Sequence, residues 1–160
     1  MYISTVKESW NMRVSTKGRY AVRVIIDMAE NGESEFHPLH ILAERQGLSE
    51  KYLEAILGTL VKNNILEGAR GKGGGYKLAK PAAELTIWEI LSVIETSMSP
   101  VECVDNDKNG CDRADICPTL TMWKDFAKII HDYFSGITIK QLARDSSKII
   151  LPFCKEKMKK

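Results

Sequence analysis

Residues 37–80 read HPLHILAERQGLSEKYLEAILGTLVKNNILEGARGKGGGYKLAK. His37-Pro38 breaks the chain, and Leu39, Ile41 and Leu42 then give a short apolar face around Ala43. Gly47 stands where a tight helix–helix turn needs a positive φ, and Leu48 follows it as an apolar plug. Ser49 is a good N-cap for the next helix, with Glu50 in the first turn to complement the dipole. Leu53, Ile56, Leu57 and Leu60 recur at helical spacing and mark its buried face, and Asn63-Asn64 ends it. Ile65-Leu66-Glu67 and Tyr76-Lys77-Leu78 then alternate as strands around Arg70-Gly71-Lys72-Gly73-Gly74-Gly75. The pattern predicts a helix-turn-helix followed by a β-wing.

That architecture proposes a nucleic-acid interface. The second helix leaves Ser49, Lys51, Tyr52 and Glu54 near its N-terminus and off the apolar stripe, where a recognition helix meets base edges and phosphates. Lys51 and Tyr52 suit phosphate or sugar, and Glu54 can accept from a cytosine amino group. In the wing, the glycines, Gly73 among them, let backbone approach a duplex while Arg70 or Lys72 reaches into the minor groove. The bland alternatives are a plain turn and solvated charges. GKGGGY lacks the Lys-Ser/Thr ending of a phosphate loop and opens a strand rather than a helix, which argues against nucleotide binding.

The chain is 160 residues long, enough for one DNA-binding domain plus an appendage. Its net charge of +2 says little about a polyanionic partner, but the distribution is uneven. Residues 12–80 hold eleven Lys/Arg against eight Asp/Glu, and residues 82–160 hold eleven against twelve. The basic half is the half with the wing. No apolar run reaches membrane-spanning length and no signal-peptide pattern opens the chain, so the expectation is a cytoplasmic protein with no membrane partner. Four cysteines in a reducing compartment then read as ligands or redox groups rather than disulfides.

Residues 1–11 show no sustained period and read as an extension. A helix follows, with Val22, Val24, Ile25, Ile26, Met28 and Ala29 apolar and Asn31-Gly32 closing it. Lys17, Arg19 and Tyr20 lie at its start, where they either anchor a DNA phosphate or simply face solvent. Thr86 caps a helix expected from Ile87 to about Thr96. Pro118 suits the first turn of a long helix running to about Phe134, with Met122, Phe126, Ile129, Ile130, Tyr133 and Phe134 as a broad apolar stripe. That stripe exceeds what one small domain can cover, which points to a homodimer along it. Thr138 caps a last short helix, Ile139 to about Asp145, and a basic tail ends the chain. The fold class expected is mainly α with a small β-wing. The expected division is an extension (1–11), a winged helix-turn-helix domain (12–80), a cysteine loop with dimerisation helices (81–146) and the tail (147–160).

Between those helices lie Cys103, Cys111 and Cys117, spaced C-x7-C-x5-C in a polar loop. Thiolates on a loop can wrap an iron–sulfur cluster. Structural zinc usually pairs its cysteines more closely, and no such pair occurs here. A thiol switch needs only two of the three. A cluster ordinarily takes four ligands, and Cys154, His131, a carboxylate, a small thiol or a partner residue are the candidates for the fourth. Asp105, Asp107, Asp112 and Asp115 add negative charge beside the thiolates. No Ser/His/Asp spacing or paired carboxylates suggest an enzyme. His37, His40 and His131 are scattered, and the first two read as surface residues.

The chain from Met12 to about Ala143 resembles the winged-helix regulator family that includes the iron–sulfur regulator IscR, the nitric-oxide sensor NsrR and the cysteine-metabolism repressor CymR. The residues that carry the resemblance are MRVSTKGRYAV at 12–22, LAERQGLSEKYLE at 42–54, ARGKGGGY at 69–76 and the three cysteines followed by Trp123. The resemblance implies a homodimer on a near-palindromic promoter site in double-stranded DNA. It also implies Cys103, Cys111 and Cys117 as cluster ligands, Glu54 as a residue tuning site choice and Arg70 as a minor-groove contact. A 2Fe–2S centre is the first expectation, with 4Fe–4S as the alternative.

Departures from the family pattern are equally informative. The histidine that IscR-like members carry three residues after the third cysteine is here Leu120. The aspartate that nitric-oxide sensors carry before the first-helix tyrosine is here Arg19. Seven residues, rather than five, separate the first two cysteines. The leading reading is a repressor sensing cluster status and controlling cluster-assembly or sulfur-metabolism genes. The alternatives are a cysteine-metabolism repressor governed by thiol oxidation or a partner enzyme of cysteine biosynthesis, and a nitric-oxide-sensing repressor.

Overall fold

The computed structural model describes residues 14–105 and 111–145. The extension at 1–11, Met12, Arg13, Asp107, Cys154 and the tail at 147–160 lie outside the described residues.

Helix α1 spans Thr16–Glu30, and its N-cap is Ser15, whose hydroxyl accepts from the Gly18 amide at 2.9 Å. Helix α2, Leu39–Gln46, begins after Pro38 and stops at Gly47, whose φ of 65° is the left-handed conformation expected of this turn. Helix α3, Glu50–Lys62, starts at Ser49, whose hydroxyl accepts from the Tyr52 amide at 3.3 Å. All four apolar residues of its stripe are fully buried against α1 and α2. Strands β1, Leu66–Ala69, and β2, Gly75–Leu78, pair antiparallel with Leu66 opposite Leu78 and Ala69 opposite Gly75. β1 starts one residue later and ends two residues later than expected, and β2 starts one residue earlier. Ile65 remains helix-linked, its amide donating to Leu60 O at 3.0 Å.

The core does not stop at the wing. Helix α4 spans Ile87–Ile94 behind a capping box in which Thr86 and Glu89 satisfy each other's backbone donors. It ends before the expected Thr96, because Glu95 turns to φ −82° and ψ 146° and aims its side chain at Ser15. Helix α6, Ile139–Asp145, returns to the same core. Its Ile139 is fully buried, and the Ile139 and Lys140 amides donate to the Leu85 and Ala82 carbonyls, both at 2.9 Å. Thr138 takes its capping role, accepting from the Gln141 amide at 3.3 Å.

Helix α5, Leu120–Ser135, differs in character. Pro118 is not in its first turn. A turn closed by the Leu120 amide on Cys117 O passes over Pro118, and Thr119 becomes the N-cap. No α5 residue is buried, and Met122, Ile129 and Tyr133 are 51%, 63% and 56% exposed.

His37 corrects a sequence expectation. Rather than sitting on the surface, it is 6% exposed. Its backbone exchanges two hydrogen bonds with Tyr76 at 2.8 and 2.9 Å, adding a one-residue bridge to β2. Its Nε2 lies 2.9 Å from Gly32 O, and its Nδ1 lies 3.4 Å from Arg45 Nη2. Arg45 in turn pairs with Asp27 at 3.0 Å, joining α1, α2 and the wing. Burial pushes the Asp27 carboxyl up, and the Arg45 guanidinium only partly offsets that push.

Candidate nucleic-acid interface and cysteine loop

The capped start of α3 presents Lys51, Tyr52 and Glu54 outward while the apolar stripe turns in. Lys51 has no ion pair among the described residues, so its ammonium is free for a phosphate. Tyr52 is held: the Tyr20 ring stands edge-on to it with centroids 6.1 Å apart, and the Arg23 guanidinium lies 5.4 Å over Tyr20. Glu54 faces the wing. Burial first, and the Glu54 carboxylate second, raise the Tyr76 hydroxyl above its ordinary value.

The wing tip carries Arg70 and Lys72 exposed, with Gly71 at φ 89° and Gly73 at φ 79°. The Gly74 amide donates to Gly71 O at 3.0 Å, closing the tip. Below it, Glu67 and Lys77 face each other across the strands and pair at 3.0 Å. Neither Arg70 nor Lys72 has an acidic partner among the described residues, so the tip offers two free cations on a short rigid ribbon.

At the head of α1 the Glu95 carboxylate holds the N-cap residue, accepting from the Ser15 amide and hydroxyl. What α1 offers the recognition helix is side chains: Tyr20 packs on Tyr52, and Lys17 Nζ donates to Thr59 Oγ1 at 3.5 Å. Arg19 is turned to Thr16 Oγ1 at 3.2 Å. The Arg23, Thr59 and Glu95 contacts were not marked by sequence alone. Helical spacing alone sets Arg23 near Tyr20, but nothing local points to Glu95.

The cysteine loop leaves α4 and enters α5. Cys103 lies in a 3-10 turn, Glu102–Val104, half-buried. Cys111 is exposed, and Cys117 follows a second 3-10 turn, Ala114–Ile116. All three are free thiols. The Cys117 thiol is held below its ordinary value, first by the Thr119 hydroxyl 3.4 Å away, then by the Thr119 and Leu120 amides at the start of α5.

No three Cys, His, Asp or Glu side chains converge as a metal site among the described residues. His131 shares a cavity of about 450 Å³ with Cys103 and packs edge-on to Trp88 at 4.6 Å. It stands three turns up α5 from its start, roughly 16 Å along the axis at 1.5 Å per residue. The donor set itself suits a cluster: three soft thiols within reach of solvent, one of them biased toward thiolate.

Comparison with known proteins agrees with this geometry. The Rrf2 family profile, described as an iron-dependent transcriptional regulator, matches residues 14–145. The HTH-type transcriptional regulator IscR of Cronobacter sakazakii is 37% identical over 134 residues, covering 84% of this chain and 82% of its own. IscR of Escherichia coli O1:K1 / APEC is equally similar, at 37% over 134 residues, 84% of this chain and 82% of its own. Among solved structures, T. potens IscR aligns with a TM-score of 0.66 at 29% identity, over 88% of this chain and 94% of that one. CymR, described as the global cysteine regulator of B. subtilis, aligns with a TM-score of 0.65 at 27% identity, over 82% and 96%. The match from Val14 to Asp145 means that this chain belongs to the Rrf2 family of DNA-binding transcription regulators.

Proposed function

We propose that the protein is a homodimeric repressor whose DNA affinity follows the state of an iron–sulfur cluster held by Cys103, Cys111 and Cys117. The observation that carries this reading is the loop itself. Three free thiols sit on one segment that runs directly into α5, with Cys117 already biased toward the ligating thiolate. When bound, the cluster supplies a redox- and oxygen-responsive crosslink of the loop. Cys117 would hold it at the start of α5, and Cys103 would hold it from the 3-10 turn Glu102–Val104.

The apolar side of α5 is proposed as the dimer face, since Met122, Ile129 and Tyr133 are exposed on one chain. Two recognition helices would then address half-sites about one helical turn, roughly 34 Å, apart, so a small angular change at α5 alters affinity. Lys51, Tyr52, Arg70 and Lys72 carry backbone and groove contacts, and Glu54 a base contact.

The test is iron and sulfide content with an absorption spectrum on protein purified without oxygen, followed by promoter titration. Stoichiometric iron and sulfide, and an affinity that changes when the three cysteines are replaced by alanine, are the expected results. A colourless protein that resists reconstitution would turn the reading to a thiol switch. Cys117 gives that second reading a specific basis, because the same Thr119 hydrogen bond that favours ligation also favours oxidation of the thiol.

A further inference from the structure

We infer that Glu95 is a positioning residue for DNA binding: its carboxylate clasps the head of α1 and passes the state of the cysteine loop to the recognition helix. The inference rests on the regulator reading above.

Glu95 is the first residue after α4, and its Oε1 accepts from both the Ser15 amide at 3.0 Å and the Ser15 hydroxyl at 2.8 Å. The hydroxyl in turn accepts from the Gly18 amide at 2.9 Å. The N-cap residue of α1 is therefore held, amide and hydroxyl together, by a carboxylate eighty residues away in sequence. Its negative charge also suits the positive end of the helix dipole. The fit is close. A Cβ on Gly18 would stand 2.1 Å from Glu95 Oε1, so only glycine leaves the carboxylate its seat.

Contacts run outward from this clasp in both directions. Toward the loop, Met98 and Ser99 line a cavity of about 320 Å³ together with Glu95, Tyr133 and Phe134. The same two residues line the cavity that holds Cys103. Toward DNA, Lys17 and Tyr20 sit within the next turn of α1, and they touch Thr59 and Tyr52 of the recognition helix. A local N-cap would need only Ser15. Supplying its partner from the loop's point of departure ties two regions that the fold could have left independent.

The test uses the full chain, cluster-loaded by anaerobic reconstitution and cluster-free, titrated onto a labelled promoter duplex. Wild type is expected to show an affinity ratio between the two states of roughly 5- to 150-fold, the usual size of an allosteric coupling. Glu95→Ala and Gly18→Ala should bring that ratio to within about twofold, while Glu95→Gln, whose amide oxygen still accepts from Ser15, should keep it. Amide hydrogen exchange at Ser15 and Gly18 should differ between states in wild type and in Glu95→Gln, and not in Glu95→Ala. A wild-type ratio that survives in Glu95→Ala overturns the clasp and leaves sensing intact. Identical exchange at Ser15 and Gly18 in both wild-type states overturns it whatever the variants do. A wild type without any ratio overturns both readings.

Discussion

Tyr20 stands edge-on to Tyr52, the two rings 88° apart in plane, and thereby braces the N-terminal part of the recognition helix from α1. Tyr52 keeps 39% of its surface exposed, while its other side is held by Tyr20. Such a pair contributes about 0.5–1.5 kcal/mol beyond area burial. Tyr20→Ala should therefore weaken promoter binding by about two- to tenfold, whereas Tyr20→Phe should bind as wild type. Fluorescence anisotropy decides this, and an equal loss in both variants would move the effect from the ring to the hydroxyl.

Gly75 is where the wing meets His37. Its φ is 147°, and a Cβ there would lie 2.2 Å from His37 O. Gly75→Ala should separate His37 from Tyr76, breaking two backbone hydrogen bonds and stripping a buried histidine of its setting. We expect a loss of about 2–3 kcal/mol in urea unfolding, with promoter affinity reduced even where the protein remains folded.

The two cations of the wing tip should separate by role. Arg70→Ala is expected to weaken binding to A·T-narrowed sites more than to wide-groove sites, because a narrow minor groove concentrates negative potential. Lys72→Ala should weaken both alike and reduce the salt slope by about one. Equal losses on both sites for Arg70→Ala would remove its minor-groove assignment.

Glu89 predicts an acid limb of stability. Burial raises its carboxyl, but the Lys80 hydrogen bond and those from Thr86 outweigh burial, and the net direction is below the ordinary 4.5. A carboxyl lowered in the folded state contributes stability that is present above its unfolded value and lost as pH falls through the folded one. The denaturation gap between wild type and Glu89→Gln should therefore be widest near neutrality and close as pH falls through the folded value. A gap that stays constant with pH would show that Lys80 and Thr86 do not act on the ionised carboxylate.

How far the sequence could be read follows the range of each interaction. Leu53, Ile56, Leu57 and Leu60 announce their helix and its buried side because the period is local and self-contained. Ser49, Gly47 and Thr86 announce caps and turns for the same reason. His37 was misjudged because its burial depends on a bridge to Tyr76, far along the chain, and no neighbour of His37 encodes that. Glu95 lay within an apolar helical run and suggested one more turn, whereas Ser15 pulls it out of the helix. The three cysteines are legible in sequence as one loop before α5, but their half-buried and exposed settings depend on two 3-10 turns that their spacing does not encode.

The paired entry to α4 and return to α6 have a consequence for how such a regulator can change. Thr86 and Thr138 bridge each other, and Ile87 donates to Ile137 O at 3.0 Å, so the chain leaves and re-enters the core at one seam. Loop and α5 together form a closed excursion from that seam. Residues can be added to or removed from the excursion, or its cysteines exchanged, without breaking that seam. Variation in the excursion therefore leaves the closure of the core behind it as it is, and reaches the rest of the chain only through the contacts that α4 and Glu95 make.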